Sequence, residues 1–395
     1  MSNSEQKTGP LTGLRVIEIG QFIAAPAAAQ ALADLGADVI KVEPPAGDAA
    51  RSVGWTQDGY GPMFTAYNRS KRSIVLDLRS SEGQQTIREL ACSADVLLQN
   101  SRPSVMVKYG LDAASLMALA PRLVYGQVSG FGQTGPASVR PGFDIAAQAE
   151  SGMMSLNGPA DGDPTRVGFT VVDTMAAHAL TTGVLAALVR RSISGRGGLV
   201  DVSLIDVAIQ SLANAWAEYQ LEGVLPLRCG NGQPHSAPAA DLINTADGQL
   251  VISAYTQDHF ARLCTAIGRP ELASDPRFEF NVGRVQHRAA LQTVLSQAMG
   301  HLTSDVVSEL LTDAGVVVGT VRTLADVIAG RAGVSADLFV DVSAEGRKAV
   351  GIPGLPFRID GATRQGGRLP AIGEHTAEVL KELRQLQVDG TQTTP

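Results

Sequence analysis

The chain has 395 residues, 44% of them hydrophobic and 5% aromatic, with a formal net charge of −7. That length points to one large domain and a smaller one rather than a single small core. The negative balance argues against a nucleic-acid partner, whose binding surface needs a basic excess. Three cysteines (Cys92, Cys229 and Cys264) stand far apart, with neither a disulfide framework nor a zinc spacing. They fit a reducing, cytoplasmic setting, and each reads as a small core residue. The six histidines show no ligand spacing, so no metal is expected. The polar start MSNSEQKTGP lacks an apolar signal region, and no stretch reads as long enough to cross a bilayer.

After a frayed tail over 1–10, RVIEI (15–19) reads as a buried strand, 26–35 as an Ala-rich helix and ADVIKVE (37–43) as a second strand. Strand, helix and strand in this short span make a βαβ unit with a parallel pair. The pattern recurs with SIVLDL (73–78), a helix over 81–91, ADVLLQN (94–100), a helix near Ser115 and LVYGQVSG (123–130). A doubly wound α/β domain follows. The turn after Ile19 has Gly20 but no G-x-G-x-x-G, and neither G-x-S-x-G nor a Walker A motif occurs. Those absences weigh against nicotinamide dehydrogenases, α/β-hydrolases and P-loop NTPases.

In such sheets ligands lie beyond the carboxyl ends of the strands. Lys71, Arg72, Arg102, Lys108 and Arg140 fall on connecting segments of an otherwise acidic chain. Singly each is ordinary solvated charge. Gathered on one sheet edge, they suit a polyphosphate ligand.

The stretch GFTVVDTMAAHALTTGVLAALVRRSISGR (168–196) starts with a β-branched run over 169–172, expected as a strand. It meets Asp173 and continues with apolar residues at helical spacing. Asp173 thus falls at a strand-to-helix junction, where unpaired N–H groups and the helix dipole favour a carboxylate. As an isolated acid before a helix it would read as an N-cap. Beyond it come a strand at 199–204 and a helix over 205–221. LRCGNGQPHSAPAAD (227–241) is an aperiodic loop, read as a linker or mobile active-site segment. A strand at 249–255 and helices around 289–299 and 306–314 indicate a small α+β domain. The chain ends with a Pro/Gly turn and amphipathic helix over 367–383. The expected division is 1–225, 226–332 and 333–395.

With these segments in order, the chain resembles the class III CoA-transferase family, to which α-methylacyl-CoA racemase is a side branch. The segments that carry the resemblance include ADLGADVIKVEPPAGD, NRSKRSIVLDL, ADVLLQNSRP, SGFGQTGP, VVDTMAAHALTTGVLAAL, DPRFEFNVGR and PAIGEHTAEVL. The resemblance implies a Rossmann-like large domain, a small inserted domain and an interlocked, ring-like homodimer. It implies that Asp173 is the nucleophile. It implies coenzyme A contacts at Ile23, Ala24, Arg69, Ser70, Lys71, Arg72, Asn100, Ser101, Arg102, Lys108, Arg140, Pro141, Phe143 and Asp144. The Gly230–Asn231–Gly232 turn is a candidate source of oxyanion donors. Family members often carry Arg after the second strand's glutamate, where this chain has Pro44, and Arg51 is the candidate substitute.

The racemase branch needs two bases for α-proton exchange. Its histidine position holds Phe143 here, its glutamate position aligns with Gln257, and neither can shuttle a proton. His178 and His259 read as helix-face residues. A silent CoA-binding subunit is the other alternative, against which Asp173 argues. Arg228 and His235 hint at a polar or carboxylated acyl group.

Overall fold

The computed structural model describes residues 9–56, 59–233, 238–331, 333–335 and 337–392. The chain divides into two compact units. The first comprises 1–153, 167–217 and 335–395, the second 154–166 and 218–334. The short segment 154–166 thus joins the second unit, which an unbroken 1–225 domain does not anticipate.

The first unit is built on six parallel strands: β1 (Arg15–Ile19), β2 (Asp38–Glu43), β3 (Arg72–Val75), β4 (Val96–Gln99), β5 (Val124–Ser129) and β6 (Gly198–Ser203). Their order is β3-β2-β1-β4-β5-β6. The order reverses beside β1, which pairs with β2 on one side and β4 on the other. That reversal leaves a crevice beyond the carboxyl ends of β1 and β4.

The strands are apolar on both faces because both are covered. Val16, Val39, Val96 and Val124 face α1 (Ala24–Asp34) and the long helix Val171–Ser194, with Leu180 and Val184 packed among them. Ile17, Ile40, Ile74 and Leu97 face the other layer, which includes α3 (Ser81–Cys92) and the C-terminal helix Thr376–Gln392. At Gly126 a Cβ would meet Leu98 at 2.6 Å and Leu180 at 3.0 Å, so glycine lets the long helix close onto the sheet. Between β2 and β3 lies α2 (Pro62–Tyr67), opened by proline at its first position. After β4 come α4 (Pro103–Tyr109) and α5 (Ala113–Leu119), and after β5 comes α6 (Asp144–Glu150).

Two expectations change. Residues 169–172 form no strand: helix starts at Val171, and Asp173 lies in its first turn. The β-branched run packs as helix because Val172 is wholly buried in the layer shared with α1. Tertiary packing has overridden β-propensity. That helix is also long and apolar enough to cross a membrane, contrary to the sequence reading. Here the face carrying Ala176, Leu180 and Val184 packs in the core. The helix expected over 205–221 is divided into Leu204–Ser211 and Ala213–Glu222.

The returning C-terminal segment forms a sheet of Phe339–Ser343 flanked by Val350–Pro353 and Gly367–Arg368. The second unit holds an antiparallel sheet of Asp241–Asn244, Gln249–Ser253 and Val317–Thr320. Its helices include Gln257–Ala266, Arg288–Met299 and Ser304–Asp313, packed through Phe260, Leu263, Leu291, Leu295 and Leu311. Cys264 is buried here as a core residue, whereas Cys92 is exposed.

Candidate active site

The crevice beside β1 is stitched across the sheet's reversal. Asn100, after β4, accepts the Gln21 N–H at 2.9 Å through Oδ1 and donates Nδ2 to the Gln21 carbonyl at 2.8 Å. Phe22 then adopts a positive φ of 64°, a conformation disfavoured for a residue with a side chain. Its N–H points to Asp48 Oδ1 at 3.3 Å, and its ring meets Phe143 edge-on at 5.9 Å. Ile23 and Ala24 are buried, so their side chains serve the core.

Phe143 caps α6, and Asp144 reaches from that helix to the next. Asp144 Oδ2 accepts the N–H groups of Val172 at 2.7 Å and Asp173 at 3.2 Å. Its Oδ1 accepts from Gln148. Thr170, the residue at the cap position of the long helix, makes no side-chain cap bond. Asp144 therefore supplies the cap from a distance, in place of the local side chain. It was expected as a coenzyme contact; its carboxylate is engaged as a helix anchor instead.

Asp173 is half-buried beside this anchor. Burial, and secondarily the Asp144 charge, raise its carboxyl to about 7. These effects outweigh the help expected from the helix terminus. Near neutral pH the group therefore changes charge readily. On its other side stands Tyr67, the last residue of α2, hydrogen-bonded through its phenol to the Thr174 side chain. Tyr67 was not singled out in the sequence, because a lone tyrosine among apolar residues carries no spacing signal.

The basic residues do not gather as expected. Arg69 is buried and paired with Asp34. Lys71 is enclosed: its Nζ reaches Glu18 at 2.7 Å, the Pro26 carbonyl at 2.8 Å and Asn68 at 2.9 Å. Lys41 completes the cluster, 2.8 Å from both Glu18 and Asp48. Burial brings Lys71 down to about 8, even against the opposing Glu18 charge. Glu18, which burial alone would raise, is held below the ordinary carboxylate range by the two lysines.

Arg72 starts β3 at its amino end, away from the carboxyl-end crevice, where it pairs with Asp38 at 3.0 Å and Glu382 at 2.6 Å. Ser70 donates its N–H to the Arg368 carbonyl. The NRSKRS segment is thus an internal brace. Arg51, the candidate substitute at Pro44, is buried in a two-bond pair with Glu43 and also donates to the Pro370 carbonyl. Ser101 donates its N–H to Gln99. Arg102 and Lys108 are exposed at the two ends of α4. Arg140 is exposed, paired with Glu150 and stacked on the Phe131 ring at 4.4 Å.

In the second unit, Gly230 donates its N–H to the Gly158 carbonyl at 3.1 Å and Gly232 to the Cys229 carbonyl at 3.4 Å. Two of the three expected oxyanion donors are therefore engaged within the turn, beside Asn231. Gly232 cannot gain a Cβ, which would lie 2.0 Å from Arg288. Gln257 is clamped between the Glu279 carbonyl at 2.6 Å and Arg284 at 3.0 Å, which suits a scaffold amide and not a base. Arg228 donates to the carbonyls of Gly162 and Ser155. His235 lies outside the described residues.

The sequence model of CoA-transferase family III matches residues 11–376. The chain belongs to that family. It is a CoA-transferase, and the family acts on acyl-CoA and carboxylic acid substrates. It is 36% identical over 403 residues to the succinate–glutarate CoA-transferase of Agrobacterium fabrum, covering 99% of this chain and 100% of the relative. It is 35% identical over 394 residues to the succinyl-CoA–D-citramalate CoA-transferase of Chloroflexus aurantiacus, covering 98% and 97%. Among solved structures, a CAIB/BAIF family protein from Brucella suis matches with a TM-score of 0.82 and 36% identity, covering 95% of this chain and 99% of that one.

Proposed function

We propose that this CoA-transferase moves coenzyme A from a dicarboxylic acyl-CoA donor to a carboxylic acid acceptor through covalent intermediates on Asp173. The observation that carries the reading is a single carboxyl on the first turn of the long helix, half-buried, with its backbone held by Asp144. The relatives named for succinyl-CoA, succinate and glutarate support the donor class.

The ionised Asp173 oxygen attacks the donor's thioester carbonyl. The tetrahedral oxyanion collapses, breaking the C–S bond and releasing CoA thiolate, and a mixed anhydride remains. The thiolate attacks the aspartyl carbonyl and expels the donor carboxylate, giving an aspartyl-CoA thioester. The acceptor carboxylate repeats these steps in reverse: it forms its own anhydride and releases the thiolate. Thiolate attack on the acceptor's carbonyl forms the new thioester and returns Asp173 as carboxylate. Charge moves and no net proton is exchanged, so ionised Asp173 is the reactive form. Splitting one hard exchange into acyl transfers lowers each barrier, and donors aimed at each oxyanion lower it further.

Arg102 and Lys108 are the exposed cations that support binding of the coenzyme's phosphates. The protein is proposed to act as the interlocked homodimer of its family. Exposed Val189, Ile193 and Leu199 in the first unit support an apolar contact between copies, to be checked by mass in solution.

Turnover is tested with succinyl-CoA and a panel of carboxylate acceptors, reading new thioesters by chromatography and mass. The expected result is CoA transfer to a dicarboxylate. Deuterium uptake at the α-carbon of a 2-methylacyl-CoA, with no transfer to any acceptor, would support the racemase reading instead.

A further inference from the structure

The carboxyl-edge cluster contains one polar group that neither the helix anchor nor the expected coenzyme contacts explain. Tyr67 ends α2 on the side of Asp173 that Asp144 does not occupy. Its phenol is hydrogen-bonded to the Thr174 side chain, one residue beyond Asp173, and is close enough to feel the Asp173 charge. The Thr174 hydroxyl donates to the Thr170 carbonyl at 2.9 Å, so its oxygen is the acceptor and the phenol is the donor. Burial, chiefly, holds the phenol above its ordinary range, and it stays protonated wherever Asp173 is ionised.

The backbone behind Tyr67 is fixed with unusual rigidity. Asn68 is wholly buried, donates to the Phe64 carbonyl at 3.1 Å and accepts from Lys71 at 2.9 Å. Lys71 is itself locked to Glu18 of β1 and to the Pro26 carbonyl of α1. A buried polar network of this density specifies position more than stability. The side chain it positions is a neutral hydrogen-bond donor beside the acyl-accepting carboxylate.

We propose that Tyr67 is a further catalytic residue of the acyl transfer, donating a hydrogen bond to the oxyanion formed when Asp173 attacks the thioester and when thiolate attacks acyl-Asp173. A rotation about its Cζ–O bond moves the hydroxyl hydrogen from Thr174 to the developing negative oxygen. No proton is transferred: the phenol keeps its hydrogen while charge appears on the substrate oxygen and leaves again as the C–S or C–O bond breaks. The inference rests on the assignment of Asp173 as the nucleophile and adds a donor from the first unit itself.

The test is Tyr67→Phe, which removes one oxygen and leaves the ring. The expected result is a kcat about 100-fold lower, a KM for succinyl-CoA within about threefold, and an unchanged melting temperature. Trapping with hydroxylamine then shows the Asp173 adduct forming more slowly in the variant than in the wild type. A kcat within twofold of wild type would overturn the proposal. So would a loss of kcat matched by a lower melting temperature, which would make Tyr67 a brace for the helix. Asp173→Ala, measured alongside, separates the two assignments: if it stays active the nucleophile assignment fails, whatever Tyr67→Phe does.

Discussion

Two polar clusters in the first unit resemble each other in sequence and differ in what they can do. The Glu18–Lys41–Asp48–Lys71 cluster pairs two carboxylates with two lysines, all buried, with near-ideal contacts. Its charges balance, which is how four charges can share an interior. The Asp144–Asp173 pair has two carboxylates and no cation between them, and Asp173 consequently rises to about 7. The first cluster holds the polypeptide around the crevice. The second keeps a carboxyl free of any ion pair and hence available to attack. Adjacency of basic residues in a sequence says nothing about which of these arrangements they join.

Breaking the balanced cluster gives the largest stability effect. Lys71→Met leaves Glu18 and Asp48 facing Lys41 alone and is expected to cost about 3–5 kcal/mol in urea unfolding. The double variant Lys71→Met/Glu18→Gln restores neutrality and recovers most of that loss. If the two are equally unstable, charge balance is not what holds the cluster.

The unbalanced pair is sharpened by pH. Ionised Asp173 is the reactive form, so kcat/KM is expected to rise about tenfold per pH unit up to about 7 and then level off. Asp144→Asn keeps an oxygen for the helix N–H groups but removes the charge, so this limb moves to lower pH. Stability runs the other way. The folded carboxyl holds its proton between its ordinary 3.8 and about 7, where the unfolded chain has lost it. Folding therefore becomes less favourable as pH rises through that window. Asp173→Asn escapes this penalty and melts above the wild type at pH 8, with the difference gone near pH 4.

The smallest effects belong to the exposed cations. Arg102→Ala and Lys108→Ala are each expected to raise KM for the acyl-CoA about threefold at low ionic strength and less in high salt. A change of equal size in Arg72→Ala would contradict the division between binding and bracing cations.

Much of the fold is legible because period and punctuation agree. Strand and helix alternate as far as β5, and Ser80 and Asp112 cap α3 and α5. The start of the long helix is not legible: Val171 and Val172 have strand propensity, and only the sheet face beneath them makes them helical. Asp173 was visible through its family segment. Asp144 was visible as a site residue but not in its role, because a cap that spans 28 residues leaves no local pattern. Lys71 and Arg72 misled because their partners, Glu18 and Glu382, lie far away in the chain. Tyr67 was missed for the same reason, since its meaning comes from Thr174.

The most direct test of the central claim is a covalent one. The protein is incubated with succinyl-CoA, treated with hydroxylamine or borohydride, and mapped by peptide mass. The account predicts a donor-dependent modification of Asp173, absent when the donor is omitted. Active transfer of CoA with Asp173 unmodified, and with Asp173→Ala still turning over, would contradict it.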